Sequence, residues 1–370
     1  MLKGKRIIAT VTNPLFHDKR MIRICGSLAD QGAFVSLWGV KKAGVPQPAP
    51  QNFTQKLISV PFTKGFLFYA AYNIQLFFRL LLSRFDLAIA VDLDTLAAVS
   101  FVCRFRRKPW VYDAHEYFTE VPELEGRDFV KSIWKMVALL IGKFNMTVSQ
   151  SLAEVLEKKY RQKFHLIRNV PEKMGIDMTD EHVLRPEEAV TLVYFGYLNK
   201  GRGLEYAIQA LKLLPERFRL LLIGGGDLEA ELRSLTRDTG LEERVEFTGW
   251  VEPDEGRRYL RQGHIGLNLL DCRSVSYYYS LANKTFDYLQ AGIPAIHMDF
   301  PEYRLLSDQF KCFILIEELD AQLIAQALMD IAAHPEHYSF LTESSNQAAS
   351  ALCWENELPL LIRFFENILT

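Results

Sequence analysis

A glycine-bearing turn in the second half of the sequence has the composition of an anion-binding site. Residues 195–211 (FGYLNKGRGLEYAIQAL) read as the end of a strand, a loop that contains Gly196 and Arg202, and a helix. Such a loop presents the unpaired backbone N–H groups of a helix N-terminus, together with positive charge, to an anion. The turn is therefore a candidate phosphate site, and a plain strand-to-helix turn is the alternative.

A second turn repeats this order one strand later. In residues 223–232 (IGGGDLEAEL), Gly224 and Gly225 permit close approach of the backbone. Asp227 is predicted to cap the following helix. Neither turn contains the phosphate loop G-x-x-x-x-G-K-[ST] or the dinucleotide fingerprint G-x-G-x-x-G, which argues against both of those nucleotide sites.

A third group of polar residues lies at the start of a predicted helix. The run 280–296 (SLANKTFDYLQAGIPAI) places Lys284 and Asp287 on one helical face through their i, i+3 spacing. The Lys284 ammonium is suited to phosphate oxygens, and the Asp287 carboxylate to the hydroxyls of a sugar or ribose. A surface salt bridge between the two side chains is the alternative.

A histidine in the first half directly follows a predicted strand. His115 comes soon after the run PWVY (109–112), at the strand end where parallel α/β sheets place ligand-contacting residues. We interpret it as a candidate catalytic residue. The alternative is a structural histidine that is satisfied by its neighbours Asp113 and Glu116.

The composition is that of a globular protein and excludes several classes. The 370 residues carry 43 Lys and Arg against 45 Asp and Glu, without the basic excess of nucleic-acid-binding proteins, so no nucleic-acid partner is expected. The five cysteines are far apart and form no C-x-x-C pair, which argues against a disulfide framework and a zinc site. The apolar run after the basic N-terminal residues is too short for a secretory signal, so we expect a cytoplasmic protein.

Short apolar runs alternate with helical stretches along the chain, which predicts an α/β protein with parallel sheets covered on both faces. This alternation stops in residues 169–188 (NVPEKMGIDMTDEHVLRPEE), which are rich in Pro, Gly and charged residues. The stretch predicts a linker between two doubly wound domains. Two such domains place a ligand cleft between them, at the carboxyl ends of their strands. The predicted boundaries are 1–170 for the first domain, 171–189 for the linker and 190–354 for the second domain. An amphipathic helix at 355–370 is predicted to pack back on the first domain.

One predicted helix is long and apolar. The segment 65–85 (GFLFYAAYNIQLFFRLLLSRF) approaches the ~20 apolar residues of a transmembrane span, but Gln75, Arg79 and Ser83 form a polar stripe and a strand follows at once. We favour a mostly buried domain helix over an interfacial helix and over a true span. The interfacial alternative draws on the aromatic side chains of this helix and on a basic cluster at 104–108. It predicts peripheral contact with an anionic membrane at the cytoplasmic side.

Taken together, these runs resemble the family-4 retaining glycosyltransferases, the bacterial group 1 glycosyltransferases with the GT-B fold. The resemblance spans nearly the whole chain and includes the runs 17–39, 111–124 and 167–171. It implies two Rossmann-like doubly wound domains that face a central cleft.

Two motifs carry the resemblance in the second half. The family's donor loop reads like G-R-L-x-x-x-K-G, and here Gly196 stands at the first glycine, Tyr197 at the arginine and Arg202 at the lysine. A family motif similar to N-K-x-F-E-Y is matched by the residues Asn283, Lys284, Phe286 and Tyr288.

The resemblance implies that the second domain binds a nucleoside diphosphate sugar as donor, with no separate cofactor. Arg202 and Lys284 are expected to act in catalysis by stabilising the leaving diphosphate, and His115 by lying near the transferred sugar and the acceptor. The acceptor is expected to be a glycan or a lipid-linked glycan. The predicted donor-binding residues are Gly196, Arg202, Gly224, Gly225, Asp227, Asn283, Lys284 and Asp287.

The sequence departs from the family at its paired glutamates, spaced E-x7-E. Asp287 stands at the second position and is expected to keep the ribose contact, whereas Tyr279 replaces the first glutamate. Contact with the transferred sugar then has to come from elsewhere, such as the backbone of the loop 273–280. Because a second carboxylate nucleophile is missing, we favour front-face attack over double displacement.

Asp92 and Asp94 form a D-x-D pair of the kind that binds metal ions. The resemblance implies an enzyme that needs no catalytic metal, so we interpret Asp94 as the cap of the next helix and expect no metal site. Two alternatives to a glycosyltransferase remain: a nucleotide-sugar 2-epimerase of the same fold, and a non-catalytic sugar-nucleotide-binding protein, which Tyr279 would permit.

Overall fold

A computed structural model describes residues 2–15, 18–173, 184–185 and 188–370. The chain divides into two compact units, which we call the first unit (Met1–Asn169 with Glu357–Thr370) and the second unit (Val170–Asn356). The predicted linker at 171–189 lies largely outside the described residues.

The first unit contains a parallel sheet of seven strands in the order β3-β2-β1-β4-β5-β6-β7. Its strands are β1 Arg6–Thr10, β2 Phe34–Val40, β3 Thr54–Ile58, β4 Leu87–Val91, β5 Trp110–Ala114, β6 Asn145–Thr147 and β7 Phe164–Leu166. The central β4 (LAIAV) is wholly buried, as expected for a parallel strand that is covered on both faces. The chain changes direction across the sheet between β1 and β4, and such a switch point is where ligands of open α/β sheets bind.

The helices of the first unit are α1 Lys19–Asp30, α2 Gly65–Leu82, α3 Asp92–Arg106, α4 Asp128–Ala138 and α5 Gln150–Tyr160. Helix α3 packs against both α2 and α4. The Asn73 side-chain amide of α2 donates to the Asp94 carbonyl of α3 at 2.7 Å. The rings of Tyr69 on α2 and Trp134 on α4 meet edge to face, with centroids 5.2 Å apart. The three helices therefore form one layer on the sheet.

Helix α2 is less buried than the sequence predicts. Only the stripe formed by Phe68, Tyr72, Leu76 and Leu80 is buried, at i, i+4 spacing. The prediction of a mostly buried helix is therefore wrong, because a single stripe suffices to pack α2 on α3 and leaves its other apolar side chains exposed.

The second unit contains a parallel sheet of six strands in the order β10-β9-β8-β11-β12-β13. Its strands are β8 Val190–Phe195, β9 Phe218–Ile223, β10 Val245–Gly249, β11 Ile265–Asn268, β12 Ala295–Met298 and β13 Phe313–Ile316. Its helices are α6 Leu204–Leu213, α7 Glu229–Asp238, α8 Pro253–Leu260, α9 Val275–Tyr278, α10 Asn283–Gln290, α11 Pro301–Phe310, α12 Ala321–Ala333 and α13 Pro335–Ala351. The switch point lies between β8 and β11.

The last helix, α14 (Trp354–Leu369), brings the chain back from the second unit to the first. Glu357 accepts from the Arg168 guanidinium at 3.3 Å, and the ring of Phe364 lies 4.8 Å from that of His165. The Lys5 ammonium donates to the Leu369 carbonyl at 3.0 Å. Residues 357–370 thus complete the first unit.

Candidate functional site

The two glycine-bearing turns of the second unit contact each other at the carboxyl ends of β8 and β9. Gly196 and Gly224 have φ angles of 138° and 129°, which L side chains rarely adopt. A Cβ on Gly224 would lie 2.2 Å from the Gly196 carbonyl oxygen. The turns are also joined by the Leu198 amide, which donates to the Gly225 carbonyl at 3.0 Å. The glycines are therefore required for the two loops to lie side by side.

Replacing Gly224 by Ala should destabilise the protein by about 3 kcal/mol or more, because backbone strain and a backbone clash add. Gly240→Ala is the matched control: Gly240 also has a positive φ, of 70°, but its Cβ would meet no atom within 4 Å. That control should lose only about 1–2 kcal/mol. Urea denaturation of both variants measures the difference, and equal losses would show that the loop contact is unimportant.

Asp227 does not have its predicted role as a cap. Helix α7 begins at Glu229 after Leu228, and no side chain caps it. Asp227 is exposed, and its backbone amide donates to the Asn199 side chain at 3.3 Å. The Leu228 amide donates to the Leu198 carbonyl at 2.9 Å. The backbone of the first turn therefore holds this loop, and the Asp227 side chain remains available to solvent.

Lys284 is buried rather than part of a surface salt bridge. It lies in the first turn of α10, and only 7% of it is exposed. One turn later, the Tyr288 hydroxyl donates to the Leu267 carbonyl of β11 at 2.8 Å and accepts from the Phe195 amide of β8 at 3.3 Å. Tyr288 thus fixes α10 across the switch point, and the Lys284 ammonium lies 4.1 Å from the centre of the Tyr194 ring.

Arg202 lies near Lys284 and repels it. Burial lowers the pKa of Lys284 well below its usual range, the Arg202 charge lowers it further, and the Asp287 carboxylate opposes the shift. The Arg202 guanidinium stacks on the Tyr277 ring at 4.7 Å, and its buried Nε has no hydrogen-bond partner among the described residues. Each group disfavours positive charge on the other, and a bound anion would relieve this repulsion.

Backbone N–H groups add to this positive potential. Helix α6 begins after Gly203 and α10 after Ala282, and neither has a side-chain cap. Their first amides lie at the carboxyl ends of β8 and β11, on the two sides of the switch point. The predicted residues Gly196, Arg202, Asn283, Lys284 and Asp287 all lie on these two connections, and Gly224, Gly225 and Asp227 on the neighbouring one.

Tyr279, which stands in place of the family's first glutamate, follows α9 directly. It is half-buried, and its ring lies 5.1 Å from that of Tyr278, edge to face. An aromatic side chain at this position supplies no carboxylate to a sugar.

A buried ion pair orients His115 in the first unit. The Arg20 guanidinium on α1 donates two hydrogen bonds to the Asp113 carboxylate at the end of β5. The Nη2–Oδ1 distance is 2.8 Å and the Nε–Oδ2 distance is 3.0 Å. Arg20 also donates to the Ile167 carbonyl at 2.8 Å. The Asp113 carboxylate in turn lies 3.0 Å from Nε2 of His115. Arg20 and Asp113 are 3% and 0% exposed, whereas His115 is 25% exposed and reaches solvent.

The carboxylates around His115 favour its protonated form. Burial alone lowers its pKa, but Asp113 and Asp92 outweigh burial and raise the pKa to about 9. Burial raises the pKa of Asp113, yet Arg20 and His115 hold it well below its usual range. The structure therefore pairs His115 with Asp113, as the structural alternative expects, and also leaves a quarter of the His115 side chain exposed. Its second partner is Asp92, which accepts from the His115 amide at 3.0 Å.

Asp94 is not the cap of α3. The helix begins at Asp92, which has a φ of 51°, and Asp94 lies within the first turn. Its carboxylate accepts from the Thr12 hydroxyl. Burial raises the pKa of Asp94 to about 7 and that of Asp92 well above its usual range. Within the described ranges, no group of three or more His, Cys, Asp or Glu side chains is arranged to hold a metal ion.

Sequence reasoning missed Arg20, Tyr194 and Tyr277. The sequence could have indicated a buried Arg20. It lies next to Met21 and one helical turn before Ile24, on the apolar face of an amphipathic helix. An arginine there needs a buried partner. The two tyrosines had no local signal, because stacking under a cation depends on the fold.

The second unit also matches a known family. The family described as "Glycosyl transferases group 1" matches residues 189–334. These residues form a group 1 glycosyltransferase domain. The match contains all the donor-binding residues that the sequence predicts.

Curated relatives of the chain include two enzymes of polysaccharide synthesis. The amylovoran biosynthesis glycosyltransferase AmsK of Erwinia amylovora is 31% identical over 100 residues, which cover 26% of this chain and 24% of that protein. The putative colanic acid biosynthesis glycosyltransferase WcaL of Escherichia coli K12 is 28% identical over 165 residues, which cover 42% of this chain and 40% of that protein. The matched part thus spans less than half the length of these relatives.

Solved structures show that the chain has the GT-B fold. Sucrose-phosphate synthase of Thermosynechococcus elongatus aligns with a TM-score of 0.80 at 16% identity, over 98% of this chain and 99% of that one. HepE of Anabaena in complex with UDP-glucose aligns with a TM-score of 0.75 at 14% identity, over 98% and 100%. The predicted fold class is confirmed.

Proposed function

We propose that this protein is a glycosyltransferase that moves a sugar from a nucleoside diphosphate sugar to an acceptor hydroxyl during synthesis of a bacterial polysaccharide. The proposal depends above all on the buried Lys284, which lies beside Arg202 at a switch point flanked by two uncapped helix N-termini. A diphosphate supplies the negative charge that this arrangement lacks.

The comparisons support the same function. The group 1 glycosyltransferase domain contains the proposed diphosphate site, and the curated relatives AmsK and WcaL are named for amylovoran and colanic acid synthesis. A structure of HepE, which has the same fold, holds UDP-glucose. We therefore propose a nucleotide-sugar donor and a glycan or lipid-linked glycan acceptor, used at the cytoplasmic side of the membrane.

In the proposed complex, Arg202, Lys284 and the first amides of α6 and α10 bind the diphosphate, and Asp287 accepts from the ribose hydroxyls. As the bond between the anomeric carbon and the diphosphate breaks, negative charge grows on the leaving phosphate oxygen. The two cations then bind the transition state more strongly than the ground state, which is the requirement for catalysis.

The protonation of His115 favours a retaining reaction without an enzymic base. A histidine with a pKa of about 9 holds its proton at neutral pH, so it is suited to donate a hydrogen bond to the sugar rather than to accept a proton. The departing phosphate oxygen then takes the proton of the acceptor hydroxyl. The new bond forms on the face that the diphosphate leaves, so the anomeric configuration is retained.

A product assay tests this proposal. The protein is incubated with a panel of sugar nucleotides and glycan acceptors, and proton NMR reads the new anomeric centre. We expect transfer with retention, and we expect it to survive excess chelator because no metal is required. An inverted product contradicts the retaining mechanism. Inversion at C2 of the donor sugar indicates the epimerase alternative, and binding without turnover indicates a non-catalytic protein.

A further inference from the structure

The layer of α2, α3 and α4 in the first unit exposes many apolar side chains, which together we call the apolar face. Its members are each more than half exposed and include Phe78, Leu82, Phe105, Phe129, Met136 and Leu139. Because the three helices pack side by side, these side chains belong to one layer. Soluble monomers rarely expose contiguous apolar patches larger than a few hundred Å². The apolar face is therefore expected to be covered by a binding partner or a membrane.

Helix α2 is the longest apolar helix of this surface. Within the described ranges, Gly65–Leu82 is the one helix that is long and apolar enough to cross a membrane, with a mean hydropathy of 1.3 and 22% of its residues buried. It does not leave the unit, however. The Arg106 guanidinium donates to the Leu80 and Ser83 carbonyls at its end, and β4, the centre of the sheet, begins at Leu87. This geometry favours contact with a membrane surface over a span.

A basic rim, formed by Arg84, Arg104, Arg107 and Lys143, borders the apolar face where α2, α3 and α4 end. All four side chains are exposed. Arg107, Lys108 and Lys143 line a cavity of about 350 Å³ together with Trp110 and Phe144. At this end Asp86 is paired with Lys108, at 3.3 Å, and the sequence from 64 to 84 contains no acidic residue. The first turn of α4, which contains Asp128, lies at the opposite end.

We propose that the apolar face and the basic rim form a docking surface for a bilayer that contains anionic lipid. The apolar side chains enter the boundary between headgroups and acyl chains, and the basic rim binds the anionic headgroups. Charge complementarity selects this occupant, because an apolar surface bordered by exposed cations matches an anionic interface. Arg106 and Lys108 belong to the same sequence cluster but have structural roles and are not part of the basic rim. Arg106 donates to the carbonyls at the end of α2, and Lys108 forms an ion pair with Asp86.

Sedimentation with vesicles tests the proposal on the full chain. Vesicles of phosphatidylcholine mixed with phosphatidylglycerol are compared with pure phosphatidylcholine at low and high salt. We expect the protein to bind the anionic vesicles and to dissociate as salt rises. The double variant Arg104→Gln/Arg107→Gln should lower the partition coefficient about 30-fold, since each basic residue near the surface adds about 1 kcal/mol. Leu82→Gln and Phe105→Gln should each lower it roughly tenfold.

Matched control variants lie in the second unit. Arg258→Gln/Arg261→Gln removes two exposed cations, and Phe340→Gln removes an exposed aromatic side chain. These controls should leave vesicle binding unchanged. Absence of binding to anionic vesicles at low salt overturns the proposal, and so does binding that the rim variants do not reduce. A dimer that Phe105→Gln dissociates, in protein that ignores vesicles, would identify a second copy as the occupant instead.

Discussion

Lys284→Ala is expected to weaken the binding of nucleoside diphosphates by roughly 10- to 150-fold, because a charge-assisted contact contributes about 1.5–3 kcal/mol. The loss in kcat/KM should be larger, about 10²- to 10³-fold, because the ammonium also stabilises charge that develops in the transition state. Arg202→Ala should have an effect of the same kind. The double variant should lose less than the sum of the two free energies, since both cations act on one diphosphate.

Calorimetry adds a readout that separates binding from structure. Burial and Arg202 hold the pKa of Lys284 well below its usual range, and a bound diphosphate raises it. Binding to the wild-type protein should therefore take up more protons than binding to Lys284→Ala, seen as a different dependence of the heat on the buffer. Lys200→Ala is the control, since Lys200 is an exposed lysine of the same loop. Unchanged affinity in Lys284→Ala would place the donor elsewhere.

Arg20→Met is expected to destabilise the first unit by about 3–5 kcal/mol, because it leaves the Asp113 carboxylate buried without its main cation. The low pKa of Asp113 is a source of stability that is present above about pH 4, the ordinary pKa of Asp, and is lost as the pH falls further. The difference between variant and wild type should therefore shrink in acid. Urea denaturation as a function of pH measures both effects.

The same variant should change the titration of His115. Arg20 lowers the pKa of this imidazole, which lies at about 9, so its removal should raise that pKa, whereas Asp113→Asn should lower it. NMR of the imidazole follows both shifts. Lys108→Met is the control in the same unit: its ion pair with Asp86 is about one-third exposed on each side and should contribute about 0–1 kcal/mol. An Arg20 variant as stable as this control would contradict the stabilising role of the buried pair, and an unchanged titration of His115 would contradict its effect on the imidazole.

The short apolar runs along the sequence predict the strands at the centres of both sheets and miss only edge strands of the first. Fully apolar runs such as LAIAV are typical of parallel strands buried on two faces. The missed strands are β3 (TQKLI), whose side chains are mostly polar, and β7 (FHL), which has three residues. An edge strand is partly solvated and needs neither length nor an apolar pattern.

Residues of the candidate site were predictable where a motif fixes the backbone and not where the fold brings distant side chains together. Gly196, Arg202 and Lys284 lie on connections that their patterns predict. The caps assigned to Asp94 and Asp227 were wrong, because α3 is preceded by Val91 and α7 by Leu228, and a cap depends on the residue at which the helix begins. Arg20 meets Asp113 across the sheet, 93 residues along the chain, which no local pattern reports.

The return of α14 to the first unit has a consequence for synthesis. The ribosome releases the strands of the first unit early, but Glu357–Thr370 emerge only after the whole second unit. At about 5–20 residues per second, the unfinished first unit waits roughly 10–40 s for its last helix. Through that interval, the surfaces that Phe364 and Phe365 later bury lie open to solvent, while the second unit is already free to fold. The order of the chain thus makes the second unit the earlier of the two to mature.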